Sequence, residues 1–267
     1  MSATIVFIHG AWMTPLCWEP FVGYFQQQGY TCVAPPWPYR DKSVEELRSN
    51  PPAALAGLGV AEIVDHYARI ISALDEPPIL IGHSFGGLFV QMLLDQGLGR
   101  AGVALDPAPP KGVPAFKLTA IKALSGVLTT WMGWKRILRM SLQEFQYAFV
   151  NTLPPSEQKA TYERQVVPET GRIFFQAALA PLNRHSAIRV RFDNGTRAPL
   201  LLIAGAADNI VPASVVKANH AKYKHSPART DFKLFPGRTH WLIAQDGWAE
   251  VAGYAADWLR QLPGTPA

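Results

Sequence analysis

Short apolar runs punctuate the chain, and each ends in Gly, Pro or a polar residue. The first four are Thr4–Ile8, Thr31–Val33, Ile79–Ile81 and Val103–Leu105. Apolar runs without alternation fit strands buried on both faces, as in a parallel sheet. Helical patterns separate them. Trp18–Gln28 lies between the first two runs, Val60–Leu74 precedes the third, and Leu88–Leu94 follows it. Within Val60–Leu74, the residues Ile63, Val64, Tyr67, Ile70 and Ile71 recur at helical spacing with polar residues between them. The rhythm returns late in the chain with Leu200–Ile203, a helix near Pro212–Tyr223, the strand Asp231–Phe235 and a last helix near Trp248–Leu262. This alternation predicts an α/β protein whose parallel sheet is covered on both sides.

Between Pro107 and about Arg197 the alternation stops. The pattern there is helical, with Pro pairs and aromatics such as Trp131, Trp134, Phe145, Phe149, Phe174 and Phe175. That is too long for a plain connection. The expected organisation is one core, residues 1–106 and 198–267, carrying a helical cap inserted at 107–197. The 267 residues suit one such domain. There is no internal repeat and no low-complexity segment.

Composition narrows the class. Hydrophobic residues make up 48% and charged residues 17%, which is globular and too apolar for disorder. No run approaches the roughly 18 apolar residues of a membrane helix, and the N-terminus lacks the pattern of a signal peptide. A cytoplasmic protein without stable membrane insertion is the default expectation. Cys17 and Cys32 are expected to be free thiols, since two cysteines without Cys-x-x-Cys spacing propose neither a metal nor a redox site. The net charge of +5 is unevenly placed. Residues 111–197 hold 13 Lys/Arg against 5 Asp/Glu, and the rest hold 12 against 15. The basic residues are scattered, which predicts a solvated face; attraction of an anionic substrate or membrane surface is the sharper alternative. No nucleic-acid partner is expected, and the oligomeric state stays open.

The candidate chemistry centres on Gly82-His83-Ser84-Phe85-Gly86, a Gly-x-Ser-x-Gly preceded by a strand and followed by a helix. A sharp turn in that context holds a serine in a strained conformation and projects its hydroxyl beyond the sheet. It also leaves the Phe85 amide at a helix N-terminus, where developing negative charge is stabilised. A serine hydroxyl needs an adjacent base. His240 follows the strand Asp231–Phe235 on the sheet edge that also carries Ser84, the edge where active groups gather. His83 sits in a tight turn beside the serine and reads as structural; His185, His220 and His225 read as surface residues. Asp208 follows Leu200–Ile203 on the same edge and can orient the imidazole, or merely cap the helix near Pro212. Asp106, at the end of Val103–Leu105, is a rival acid. After the first strand, the turn His9-Gly10 can aim the Ala11 amide at the same point as the Phe85 amide. His9 is then structural.

Taken in order, Phe7-Ile8-His9-Gly10, Gly82-His83-Ser84-Phe85-Gly86-Gly87, Gly205-Ala206-Ala207-Asp208-Asn209-Ile210-Val211-Pro212 and Gly237-Arg238-Thr239-His240 resemble the α/β-hydrolase superfamily over nearly the whole chain. The order Ser, Asp, His is that superfamily's order. His9-Gly10-Ala11 through Cys17-Trp18 is also similar to the oxyanion loop of plant methylesterases and hydroxynitrile lyases. The resemblance implies a mostly parallel six-stranded sheet flanked by helices, with a helical cap over the site. It implies Ser84, Asp208 and His240 as the triad, with Ala11 and Phe85 as oxyanion donors. Phe85 stands where many relatives have Met or Gln, which narrows a pocket and leaves the donor amide intact.

The leading expectation is an esterase acting on a small, largely apolar carboxylic ester through an acyl-enzyme. The same triad also serves lactone or carbon–carbon bond hydrolysis, perhydrolysis or a lyase reaction, and the fold can serve a non-catalytic small-molecule receptor. Ser84 argues against enzymes of this type that use a carboxylate nucleophile. No dinucleotide fingerprint or metal-ligand cluster is read, so no cofactor and no metal are implied; the expected partner is a small-molecule substrate.

Overall fold

A computed structural model describes residues 3–263. The chain runs β1 (Thr4–Ile8), α1 (Glu19–Gln27), β2 (Thr31–Val33), α2 (Val44–Ser49), α3 (Val60–Ser72), β3 (Ile79–His83), α4 (Phe85–Asp95) and β4 (Ala101–Leu105). It then passes through α5 (Leu118–Ala123), α6 (Ser125–Leu128), β5 (Ile137–Leu138), α7 (Leu142–Ala148), α8 (Pro155–Gln165), β6 (Glu169–Thr170) and α9 (Arg172–Ala178). The sheet resumes with β7 (Leu200–Gly205), α10 (Ala213–Lys222), β8 (Thr230–Phe235) and α11 (Trp248–Arg260).

Six strands form one sheet in the order β2-β1-β3-β4-β7-β8, and every neighbouring pair is parallel. The runs read as strands are strands, several extending one or two residues further. β3 and β4 are buried along their whole length, which is why their sequences do not alternate. The outermost strands, β2 and β8, are only partly buried. Helix α4 packs on β3 and β4, beside α3 and α10, while α1 and α11 form a second packed pair. Strand order reverses between β1 and β3, since the chain moves outward to β2 before returning. That opens a crevice at the carboxyl ends of β1 and β3, the usual place for a ligand in such a sheet.

Three features differ from the pattern. Helix α4 begins at Phe85, three residues before the apolar periodicity, because Gly86 and Gly87 carry no side chain to register in it. The segment 107–197 is not purely helical: β5 and β6 form a small antiparallel pair. The runs are two residues long and too short to show a period. Helix α2 spans six residues, too few to show an apolar period, although Ser43 and Glu46 form a capping box that marks its start.

Candidate active site

The strand-to-helix corner fits the backbone closely around Ser84. Its φ of 56° and ψ of −120° lie in a region L residues rarely adopt, the strain expected of a strand-to-helix nucleophile corner. The flanking glycines are sterically required. A Cβ on Gly82 would stand 2.2 Å from the Gly86 carbonyl oxygen, and one on Gly86 would stand 2.0 Å from the Ile8 carbonyl oxygen. Helix α4 starts with the next residue, so the Phe85 amide belongs to the first turn, which has no intrahelical acceptor.

Asp208 and His240 meet on the loops after β7 and β8. His240 Nδ1 lies 2.6 Å from Asp208 Oδ2, with both side chains fully buried. The other carboxylate oxygen accepts from the amides of Ile210 at 2.7 Å and Val211 at 2.8 Å. Asp208 therefore both caps the following turn and hydrogen-bonds the imidazole. An acceptor at Oδ2 places the proton on His240 Nδ1 and leaves a lone pair on Nε2. Nε2 is buried and makes no hydrogen bond among the described residues, so the bond between Ser84 and His240 is not closed in this geometry. His83 holds the base loop in place. Its Nε2 lies 2.7 Å from the His240 carbonyl oxygen and must donate, since a carbonyl only accepts. Burial, with His240 alongside, pushes the His83 pKa well below its ordinary value, so the ring is neutral. The structural reading of His83 matches this contact.

The rival acid lies in the same buried cluster, but the His240 Nδ1 contact is to Asp208 and not to it. Asp106 is fully buried, and its Oδ1 accepts from the Gly205 amide at 2.8 Å. Burial first, then the Asp208 charge, raises its pKa well above the carboxylate range. Its Oδ2 makes no hydrogen bond among the described residues, and the same burial and neighbouring charge favour the neutral form of this carboxyl. Among the described residues, Asp106, Asp208 and His240 are the group whose donor atoms lie close enough to share a metal ion, within 4.8 Å. Asp208 already uses both oxygens, on two amides and the imidazole.

The loop after β1 lies against the serine. A Cβ on Gly10 would stand 2.8 Å from Ser84 Cβ. His9 stacks on Trp37 at 4.9 Å, and its Nε2 accepts from the Trp37 amide at 3.2 Å. Its Nδ1 is then the donor to the Gly10 carbonyl at 2.9 Å. Burial lowers the His9 pKa to about 3, with the nearby Arg40 charge acting the same way, so His9 is a neutral structural residue.

A cavity of about 180 Å³ opens at this corner. Ala11, Ser84 and Phe85 line it from the core, and Val113, Phe174 and Ile188 are among its lining residues from segment 107–197. The wall is apolar apart from Ser84 and Lys111, and the Lys111 Nζ is drawn to the Asn183 carbonyl at 2.6 Å. Phe85 meets Phe174 edge-to-face at 5.4 Å, so its ring narrows the cavity. Phe145, Phe149 and Phe174 are buried, whereas Trp131 and Trp134 are exposed.

The profile of the alpha/beta hydrolase family matches residues 5–254. The chain belongs to that family. A search of curated protein sequences finds no match for this hydrolase. Solved structures do resemble it. The monoacylglycerol lipase of Paleococcus ferrophilus is 21% identical, with a TM-score of 0.65 over 96% of this chain and 93% of the other. A pyrethroid hydrolase from Sphingobium faniae is 18% identical, with a TM-score of 0.65 over 97% of each chain. The methylesterase MES16 from Arabidopsis is 14% identical, with a TM-score of 0.67 over 97% of this hydrolase and 100% of the other chain. Identities this low carry the fold alone. Among the described residues no helix is long and apolar enough to cross a membrane.

Proposed function

We propose that this α/β-hydrolase enzyme is a serine esterase that cleaves a small, largely apolar carboxylic ester through an acyl-enzyme on Ser84. The observation that carries the reading is the strained Ser84 corner, set in the wall of an apolar cavity beside the Asp208–His240 pair. In the proposed reaction, His240 Nε2 takes the hydroxyl proton as Ser84 Oγ attacks the ester carbonyl. Asp208 keeps the proton on Nδ1 and stabilises the imidazolium. The amides of Ala11 and Phe85 receive the carbonyl oxygen as it becomes negative. The imidazolium then gives its proton to the departing alkoxide. Water, activated by the same base, cleaves the acyl-enzyme and releases the acid.

Segment 107–197 acts in this reading as a cap that supplies much of the pocket wall and excludes water. The apolar lining supports an uncharged acyl group, since an unpaired charge there is costly. The lipase, pyrethroid hydrolase and methylesterase named above are consistent with ester chemistry on this fold. Two measurements test the proposal. A fluorophosphonate probe should label Ser84, and p-nitrophenyl esters of increasing acyl length should be hydrolysed with a preference for short or medium chains. Folded protein that neither labels nor turns over would favour a non-catalytic receptor; turnover of lactones with no ester activity would favour another reaction of the same triad.

A further inference from the structure

The loop that carries Ala11 is held by a buried ion pair that the triad does not use. Trp12 is a non-glycine residue with φ of 62°, and it is buried. Segment 107–197 grips both ends of it. The Val167 amide donates to the Trp12 carbonyl at 2.9 Å, and the Trp12 amide donates to Glu169 Oε2 at 3.1 Å. The same carboxylate lies 2.5 Å from Arg40 Nη2, with both side chains fully buried, while its Oε1 accepts from the Thr170 amide at 2.7 Å. Arg40 satisfies none of its nitrogens with a hydrogen bond among the described residues, so the Glu169 charge is what offsets it. Arg40 belongs to the turn that begins at Trp37, the residue whose amide and ring hold His9.

We propose that Glu169 and Arg40 are positioning residues that set the oxyanion loop, making the cap part of the catalytic apparatus. This inference rests on the serine-esterase reading above. A buried ion pair is weak evidence of stabilisation, because removing two charges from water costs about what their attraction returns. Its consequence here is geometric. Trp12 must keep an amide acceptor in a strained backbone conformation, and Glu169 is that acceptor, fixed in turn by Arg40. The Ala11–Trp12 peptide is thereby locked on one side. On the other side Gly10 is pressed against Ser84. The Ala11 amide lies between these two constraints, and oxyanion donors lose their effect when displaced by fractions of an ångström. The sequence hides this link, since Trp12 and Glu169 are 157 positions apart.

The test uses two variants of the full chain, a p-nitrophenyl ester, and an alkyl boronic acid that forms a tetrahedral adduct on Ser84. Arg40→Met/Glu169→Met removes both charges together, so no buried charge is left unpaired. We expect it to remain folded, with kcat lowered at least about tenfold and KM changed less than about threefold. Boronic acid affinity should fall by a similar factor, because that adduct carries the oxygen the loop is set to receive. Glu169→Asp keeps a charge opposite Arg40 but retracts the carboxylate by one methylene, and it should show the same split. It decides the matter if the double variant does not fold. A folded variant with wild-type kcat and boronic acid affinity overturns the proposal, as does a loss confined to KM. If wild-type Ser84 resists a fluorophosphonate, the serine reading fails and takes the clamp with it; labelled wild type with unaffected variants sinks the clamp alone.

Discussion

Replacing Asp208 by Asn should be far more damaging than replacing Asp106 by Asn, although the two acids touch. The cause lies in what surrounds each carboxyl. Asp208 Oδ1 accepts from two backbone amides, those of Ile210 and Val211. An asparagine at 208 must put its carbonyl oxygen there, which turns its NH₂ toward His240 Nδ1, in place of an acceptor now 2.6 Å away. Nδ1 then has to accept, the imidazole proton moves to Nε2, and the base is blocked. Restoring the productive tautomer requires flipping the amide and breaking both backbone bonds, at about 1–3 kcal/mol for each donor left unsatisfied. With tenfold in rate for each 1.36 kcal/mol, that alone is on the order of 30- to 10⁴-fold. Loss of the negative charge that stabilises the imidazolium adds to it, so kcat should fall by about a thousandfold or more. Asp106 is different because burial and the neighbouring Asp208 charge push its carboxyl well above the carboxylate range, toward the neutral form. Asparagine imitates a neutral acid, with an oxygen for the Gly205 amide, so its effect on kcat should stay within about tenfold. Steady-state kinetics on one ester, with melting curves to confirm folding, decide the matter. If Asp106→Asn proves the more harmful, the orienting acid follows β4 and the argument is wrong.

Ser84→Ala should remove turnover by at least about 10⁴-fold while melting near the wild type; activity close to wild type would dismiss Ser84 as nucleophile. Gly86→Ala should lose both stability and probe labelling, because its Cβ would meet the Ile8 carbonyl oxygen at 2.0 Å; an unchanged melting curve would contradict the close packing of that corner. His9 should make folding acid-sensitive. Its folded pKa of about 3 lies below the unfolded value near 6.5, so the unfolded chain binds the extra proton and stability is lost as pH falls below about 6.5. Chemical denaturation should show the gap between wild type and His9→Gln narrowing by about 2 kcal/mol from pH 7.5 to 5; parallel pH curves would mean that His9 is protonated in the fold. Hydrolysis of neutral esters should vary little with salt, and Lys111→Met should change kcat/KM by less than about threefold, since its ammonium is bound to the Asn183 carbonyl. A steep salt dependence on an anionic ester, abolished by that substitution, would instead indicate a charged substrate.

By itself the sequence determined the sheet and the order of its loops. Apolar runs such as Ile79–Ile81 and Leu200–Ile203 are local signals, because a strand buried on both faces must be apolar throughout. The edge on which Ser84, Asp208 and His240 lie was legible for the same reason: each stands just after such a run, and parallel strands end on one side. The Gly-x-Ser-x-Gly spacing was readable because the clash it avoids occurs within five residues. Tertiary structure decided everything that depends on distance along the chain. Only packing could show that Asp208, and not Asp106, hydrogen-bonds the imidazole, since both acids end strands on the same edge. Only packing could bring Glu169 to the Trp12 amide, and Arg40 to Glu169, from three separate stretches of sequence. Such contacts carry no periodicity and no motif. They arise because a buried amide and a buried charge must find partners wherever the fold places them.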